Sequence, residues 1–315
     1  MKYRVILAFL LVLLLLPTVS AADFIKWVDF NVSYEALDKA LALDIRSQEQ
    51  DQPVSWITIL AMAACRTGGK VTASSVDGAW KELQSGKSPY ELLGDLSKYY
   101  DYYFDSYTAA LGGLVGNFAI ETKEGWQPSY GLKAFSPIAA GYGYSHYDDF
   151  GTGRSYGFAR KHLGNDLLGS LGTPIVAVEA GTVEAMGWNQ YGGWRVGIRS
   201  FDRHRYYYYA HLQKDAPFAP GLKEGDQVEA GQLLGFMGRT GYSTTENSNN
   251  IEIVHLHFGL QLIFDESQKE CDSEIWIDVY PLVRLLNRHR ASYQKAPDGT
   301  FERLYPYKDL DYTPF

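Results

Sequence analysis

His162-Leu163-Gly164-Asn165-Asp166 and, later in the chain, His255-Leu256-His257-Phe258 are the stretches on which the reading of this protein turns. In a β-strand, residues two apart share a face, so His255 and His257 project side by side while Leu256 and Phe258 face a core. His162 and Asp166 would share one face of a helix. Gly164 inside the run, and Gly169, Gly172 and Pro174 after it, disfavour a helix, so a bent or extended segment must aim both side chains. Tyr207, Tyr209 and His211 alternate along a further strand, which sets His211 on one face with two phenols. A catalytic zinc is commonly held by three nitrogen or oxygen ligands, with a fourth position left to water. The two quoted stretches hold enough donors for one such site, with one histidine to spare.

Outward from these residues the chain reads as short strands and glycine turns. Thr173–Val178, Thr182–Trp188, Trp194–Ser200, Tyr206–Leu212, Val228–Gly235 and a long final strand, Ile251–Ile263, predict antiparallel sheets. A polar loop, Asp265–Glu274, precedes a helix over Val279–Leu286. Asp298–Phe315 is a Pro- and Tyr-bearing tail without a legible role. Upstream, helical spacing runs over Asp29–Leu43, over Val54–Cys65 up to Gly68-Gly69, from about Ser75 to Leu83, and over Tyr90–Gly112. That region holds no histidine, so it is expected to dock on, anchor or restrain the second half and not to share its metal. Composition shifts to Gly, Pro, Ser and aromatics between Lys123 and Tyr147, which places a boundary near 125. The expected organisation is α+β and multidomain: an N-terminal signal over 1–22, a helical module over 23–125, a β-rich domain over 126–265, and a C-terminal helix and tail over 266–315.

Composition bounds the function. The chain has 315 residues, 46% of them hydrophobic, and a formal net charge of −8, which excludes a nucleic-acid binder and a polybasic grip on anionic membranes or wall polymers. Lys2 and Arg4 precede an apolar run from Val5 to Leu16, then Pro17 and the small residues Ser20, Ala21 and Ala22. This is the grammar of a secretory signal, with an uncleaved anchor as the alternative. The protein is therefore expected outside the cytoplasm, attached to a membrane, if at all, only through this segment. Export permits a disulfide between Cys65 and Cys271, but the apolar helical run around Cys65 favours a buried thiol, and neither cysteine is spaced to join the zinc set. The tyrosines of Tyr99–Tyr107 and Tyr206–Tyr209 fit half-buried packing better than sugar stacking.

Taken together, His162-Leu-Gly-Asn-Asp166, Gly172-Thr-Pro-Ile-Val-Ala, Gly181-Thr-Val, Tyr209-Ala-His211-Leu, Gly225-Asp-Gln-Val-Glu-Ala-Gly231-Gln-Leu-Leu-Gly235, Gly238-Arg-Thr-Gly241 and His255-Leu-His257-Phe resemble the lysostaphin and LytM-type zinc metalloendopeptidases that cut peptidoglycan peptides. The resemblance covers roughly residues 160 to 262. It implies an antiparallel β peptidase domain of lysostaphin/LytM type with Zn2+ at the floor of an open groove. By position, His162, Asp166 and His257 match the zinc ligands, His255 the catalytic histidine and His211 its partner. Either histidine could serve as base, and His211 could instead donate to a developing oxyanion. The implied substrate is peptidoglycan stem or crossbridge peptide. A non-hydrolytic scaffold or activator on the same fold is the alternative, as is a zinc endopeptidase acting on proteins.

Two departures stand out. Tyr242–Val254 intervenes where the family runs from its Thr-Gly turn to H-x-H in a few residues, and it is expected beside the cleft, where it could narrow or gate it. Gly259 stands where an acidic residue often follows H-L-H-F. Of the other histidines, His204 and His289 are expected at the surface, and His146 is a candidate for the cleft mouth.

Overall fold

The computed structural model describes residues 24–155, 159–269 and 273–312. The expected signal segment therefore lies outside the described residues. No helix among the described residues is long and apolar enough to cross a membrane.

The N-terminal helices begin where side chains satisfy otherwise orphaned N–H groups. Helix α1 (Tyr34–Ser47) is capped by Ser33, and α2 (Trp56–Thr67) by Ser55; α2 stops at Gly68, whose φ of 62° suits the left-handed turn. Thr72 with Ser75 opens α3 (Ala73–Leu83), and Ser88 with Glu91 opens α4 (Pro89–Leu93), both as reciprocal capping boxes. Helix α5 (Tyr100–Leu111) follows, and α6 (Tyr280–Leu286) lies near the C-terminus and packs on α1.

Three helical expectations change. The first helix starts at Tyr34 and not at Asp29, because Asn31–Val32 is extended and pairs in parallel with Lys70–Val71. The run Tyr90–Gly112 is interrupted: Gly94, at φ 56°, breaks α4 from α5 and a 3-10 stretch, Gly94–Tyr99, joins them. Helical structure then ends at Leu111, well short of residue 125, since Val115–Thr122 pairs with Gly125–Leu132 as an antiparallel hairpin. The shift in composition near 125 marks the turn of this hairpin. The tail without a legible role supplies its third strand, Tyr307–Asp309, and Lys133 ion-pairs with Asp309 and Asp311 at 3.0 Å.

The central antiparallel sheet comprises β1 (Ser145–His146), β2 (Asn165–Leu168), β3 (Gly181–Asn189), β4 (Gly193–Ser200), β5 (Arg205–Ala210), β6 (Gln227–Val228), β7 (His255–Leu262) and β8 (Ile275–Ile277). Its order is β6-β3-β4-β5-β7-β2-β1, with β8 beside the second half of β7. The expected strand Val228–Gly235 is two pieces, because Gly231 at φ 75° turns the chain before Leu233–Phe236 pairs with Pro174–Val176. The long final strand begins at His255, not Ile251. Tyr207, Tyr209, Leu256 and Phe258 are fully buried and continue into the apolar core of the helices.

One polar cluster fastens helices to sheet. Arg205 of β5 is buried; its Nε and Nη2 lie 2.7 and 3.0 Å from Glu179, whose Oε2 also accepts from Tyr207 at 2.6 Å. Its Nη1 donates to the carbonyls of Thr108 (3.1 Å) and Ala109 (2.8 Å), so a cation caps the negative end of α5. Cys65 is a buried free thiol, pushed up to about 11 chiefly by burial; Cys271 lies outside the described residues.

Candidate metal centre and cleft

Strand register creates the centre. His257 of β7 stands opposite Asp166 of β2, and such cross-strand neighbours lie close enough for their side chains to meet. His162 precedes β2 and reaches the same point because the intervening backbone runs tight against β7. A Cβ on Gly164 would stand 2.6 Å from the Phe258 carbonyl and 2.8 Å from the His257 ring, so only glycine fits there.

Three ligand atoms converge. His162 Nε2 is 2.8 Å from His257 Nδ1 and 3.1 Å from Asp166 Oδ1, and His257 Nδ1 is 3.3 Å from the same oxygen. Ligands placed tetrahedrally at about 2.0–2.1 Å from one ion are separated by about 3.3 Å, close to these spacings. His162 Nδ1 faces the Asp149 main-chain oxygen at 3.2 Å, so it carries the ring proton and leaves Nε2 bare. Burial by itself would raise the Asp166 carboxyl. The hydrogen bonds with His162 and His257 and the imidazole charges instead hold it well below the usual carboxylate range. Two imidazoles and an ionised carboxylate aimed at one point fit a divalent cation.

A second layer, not singled out in the sequence, orients these ligands. Asp149 holds His162 and accepts from the Asp166 N–H at 3.2 Å through Oδ1; Arg154 lies 2.6 Å from Asp149 Oδ2 and 3.2 Å from Asp166 Oδ2. Asp166 thus turns Oδ1 to the candidate metal and Oδ2 to Arg154. Asp149 sits in irregular chain and Arg154 on a strand of three residues, Gly153–Ser155, too short for periodicity to mark a side chain's direction.

His255 and His211 flank the ligands. His255 Nε2 is 3.7 Å from Asp166 Oδ1, and the His211 ring lies 4.8 Å from His255 and 5.9 Å from His257. Each donates through Nδ1 to a carbonyl, His255 to Ile253 (2.8 Å) and His211 to Thr240 (2.9 Å), so in both neutral rings Nε2 is the bare nitrogen. Burial first, then the neighbouring His255 and His257, push His211 well below the ordinary histidine range. A neutral His211 accepts a proton through Nε2; donation to an oxyanion would require the imidazolium that its surroundings oppose. His211 also sits at φ 62°, a left-handed backbone that costs energy for a residue with a Cβ.

His162, His211 and His257 border a cleft of about 550 Å³, walled also by Tyr191, Tyr208, Tyr242 and Trp276. A wider depression of about 910 Å³ lies around Phe218, Phe236 and Phe301, but no histidine lines it, so the chemistry belongs in the cleft. The inserted loop is beside the cleft as expected. Asn247 pins it by accepting from Trp194 Nε1 (2.9 Å) and donating to Asp215 (2.7 Å), while Tyr242 packs 5.8 Å from the His211 ring. Gly259 acquires a reason: a Cβ there would stand 2.8 Å from both the Leu163 carbonyl and the Trp276 ring.

The remaining histidines depart from expectation. His289 is not at the surface. It stacks on Phe135 at 3.9 Å and bonds the Ala134 carbonyl, because the chain folds back after α6. His204 is half-buried, with Nδ1 3.1 Å from the Ile263 carbonyl. His146 pairs with Leu167 across β1 and β2, lies 4.5 Å from the Tyr280 ring and does not line the cleft; neither of its ring nitrogens finds a partner.

Comparison with known proteins agrees with this geometry. Residues 160–270 match Peptidase family M23. The chain is 34% identical over 183 residues to the L-Ala–D-Glu endopeptidase of Bacillus subtilis, covering 58% of this chain and 52% of that protein. It is 37% identical over 119 residues to lysostaphin of Staphylococcus simulans, covering 38% of this chain and 20% of that protein. It thus spans about half the length of the first relative and a fifth of the second. A crystal structure from Ruminococcus gnavus, provisionally named a glycyl-glycine endopeptidase lytM, superposes with a TM-score of 0.53 at 24% identity, over 83% of this chain and 91% of that one. That likeness concerns the fold.

Proposed function

We propose, from the Peptidase family M23 domain in residues 160–270, that this protein is an exported zinc-dependent endopeptidase that hydrolyses peptide bonds of bacterial peptidoglycan. The observation that carries the proposal is the convergence of His162 Nε2, Asp166 Oδ1 and His257 Nδ1, with His255 and His211 beside them and with His162, His211 and His257 on the wall of one cleft. The relatives' names, an L-Ala–D-Glu endopeptidase and lysostaphin, point to wall peptides as the substrate class.

His162, Asp166 and His257 would hold the ion. The chemistry a zinc ion supplies at such a centre is polarisation of the scissile carbonyl and a lower pKa for water. His255, with its bare Nε2 nearest the ligand set, is placed to take a proton from an attacking water, and His211 to accept one or to orient the substrate. Asp149 and Arg154 keep the His162 tautomer and the Asp166 rotamer fixed. Export rests on the segment Lys2–Ala22.

The test is digestion of purified peptidoglycan by the full secreted chain, with and without a chelator, with released fragments weighed by mass spectrometry. Metal-dependent peptide fragments are expected, and their masses name the bond. His255→Ala should abolish turnover with zinc retained. Bound zinc with no fragment released would leave the groove as a binding scaffold and overturn the enzyme reading.

A further inference from the structure

Charge in the cleft is unbalanced in a way the metal centre does not explain. Its wall carries the cations Arg160, Lys161, Arg195 and Lys269 and the carboxylates Glu184 and Glu274. Both carboxylates are engaged by the protein: Glu184 by Lys269 at 2.5 Å and Arg199 at 3.4 Å, Glu274 by Trp276 Nε1 at 2.7 Å. Among the described residues neither arginine is paired with a carboxylate. Arg160 donates to the Tyr242 hydroxyl at 2.6 Å and lies over the Tyr191 and Tyr242 rings, while its Nε is buried without a partner. The half-buried Arg195 side chain has no hydrogen bond or ion pair among the described residues.

These guanidiniums line the same cleft as His162, His211 and His257. Arg160 is two residues before the ligand His162. Arg195 approaches from β4. Tyr208 lies within the field of both cations, its ring centroid 5.9 Å from that of the candidate ligand His257. In a chain of net charge −8, unanswered cations gathered at one half-buried wall repel one another, a cost removed when an anion enters. The planar fork of arginine suits a carboxylate, which it can grip with two parallel N–H groups.

We propose that Arg195, with Arg160 beside it, forms a subsite for a free carboxylate, so that the cleft selects peptides bearing an acidic residue next to the scissile bond. The proposal rests on the peptidase reading above and names the substrate class of that site.

The experiment uses the zinc-loaded full chain and one batch of purified peptidoglycan, half of it with its free carboxylates converted to carboxamides by carbodiimide and ammonia. The acid form should be digested about tenfold faster, the direction opposite to what an acidic protein's net charge would give. Arg195→Ala should remove the preference, so that the two forms are digested at equal rates, and Arg195→Lys should restore part of it. Equal rates for wild type on both forms, or a preference that survives Arg195→Ala, overturn the subsite and leave the peptidase reading standing. If neither form is digested, the peptidase reading fails. Co-sedimentation of the zinc-loaded chain with the two polymers then decides the subsite: retention on the acid form that Arg195→Ala abolishes supports it, and equal retention overturns it.

Discussion

Strand β5 runs between two buried polar clusters that behave in opposite ways. At its start, Arg205 meets Glu179, Asp202 and two helix carbonyls, and Glu179 also receives the Tyr207 hydroxyl. Just past its end, His211 joins His255 beside the triad His162, Asp166 and His257, whose ligand atoms lie 2.8 to 3.3 Å from one another. In the first cluster protein answers protein. In the second, three ligand atoms converge on one point, an arrangement that fits a cation. Buried polar groups are ordinarily satisfied, so a convergent set left open marks function where a closed set marks architecture.

The largest expected effect tests the open cluster. His162→Ala or Asp166→Ala should lower peptidoglycan digestion at least about a thousandfold, since metal chemistry is worth several kcal/mol, and abolish zinc binding by atomic absorption. With chelator present, each change should cost less thermal stability than loss of Arg205, because it removes one bond to the protein, His162 to the Asp149 carbonyl or Asp166 to Arg154; a loss as large as that of Arg205→Ala would show that the triad holds the fold as well. The closed cluster should respond in the opposite sense. Arg205→Ala leaves Glu179 buried and uncompensated, and should cost about 3–5 kcal/mol in denaturant unfolding with zinc stoichiometry intact. Zinc loss without destabilisation would erase the distinction.

Asp149→Ala belongs to both kinds, satisfied itself and orienting a ligand. It should weaken zinc about 10- to 100-fold by competition with a metal indicator, with the fold unchanged, because the lost carboxylate holds His162 Nδ1 at 3.2 Å through Oδ2 and the Asp166 N–H through Oδ1. The smallest effect concerns a third buried group, His146, pushed down to about 4 chiefly by burial and then by Arg284. Its folded value lies below the unfolded one, so the unfolded chain binds the proton first. Its contribution is complete above about pH 6.5 and is lost as pH falls toward 4. His146→Phe should flatten that part of the stability profile by about 2 kcal/mol, read from chemical unfolding at pH 7 and pH 4. An unchanged slope would mean that the ring already finds a partner in solution.

Much of this was legible in the residues. The period-two pattern around His255 and His257 sets them on one face of a strand, and that strand is present as β7. Glycines and capping residues mark α2 and α3 closely. The misread places share a cause: they depend on partners far away in sequence. Val115–Thr122 extends because the tail Tyr307–Asp309 comes back to pair with it, and His289 is covered because Phe135 meets it.

By itself, then, the sequence determined the donor set, the strand periodicity and the kinship of residues 160–270, since residue chemistry and local spacing need no partner. Only the tertiary structure decided which atoms converge, His162 through Nε2 and His257 through Nδ1. It alone brought Asp149 and Arg154 behind the ligands, and it alone set Arg195 on the cleft wall without an ion-pair partner among the described residues. Such facts are distances and missing partners, set when strands distant in the chain fall into register, and no local pattern encodes them.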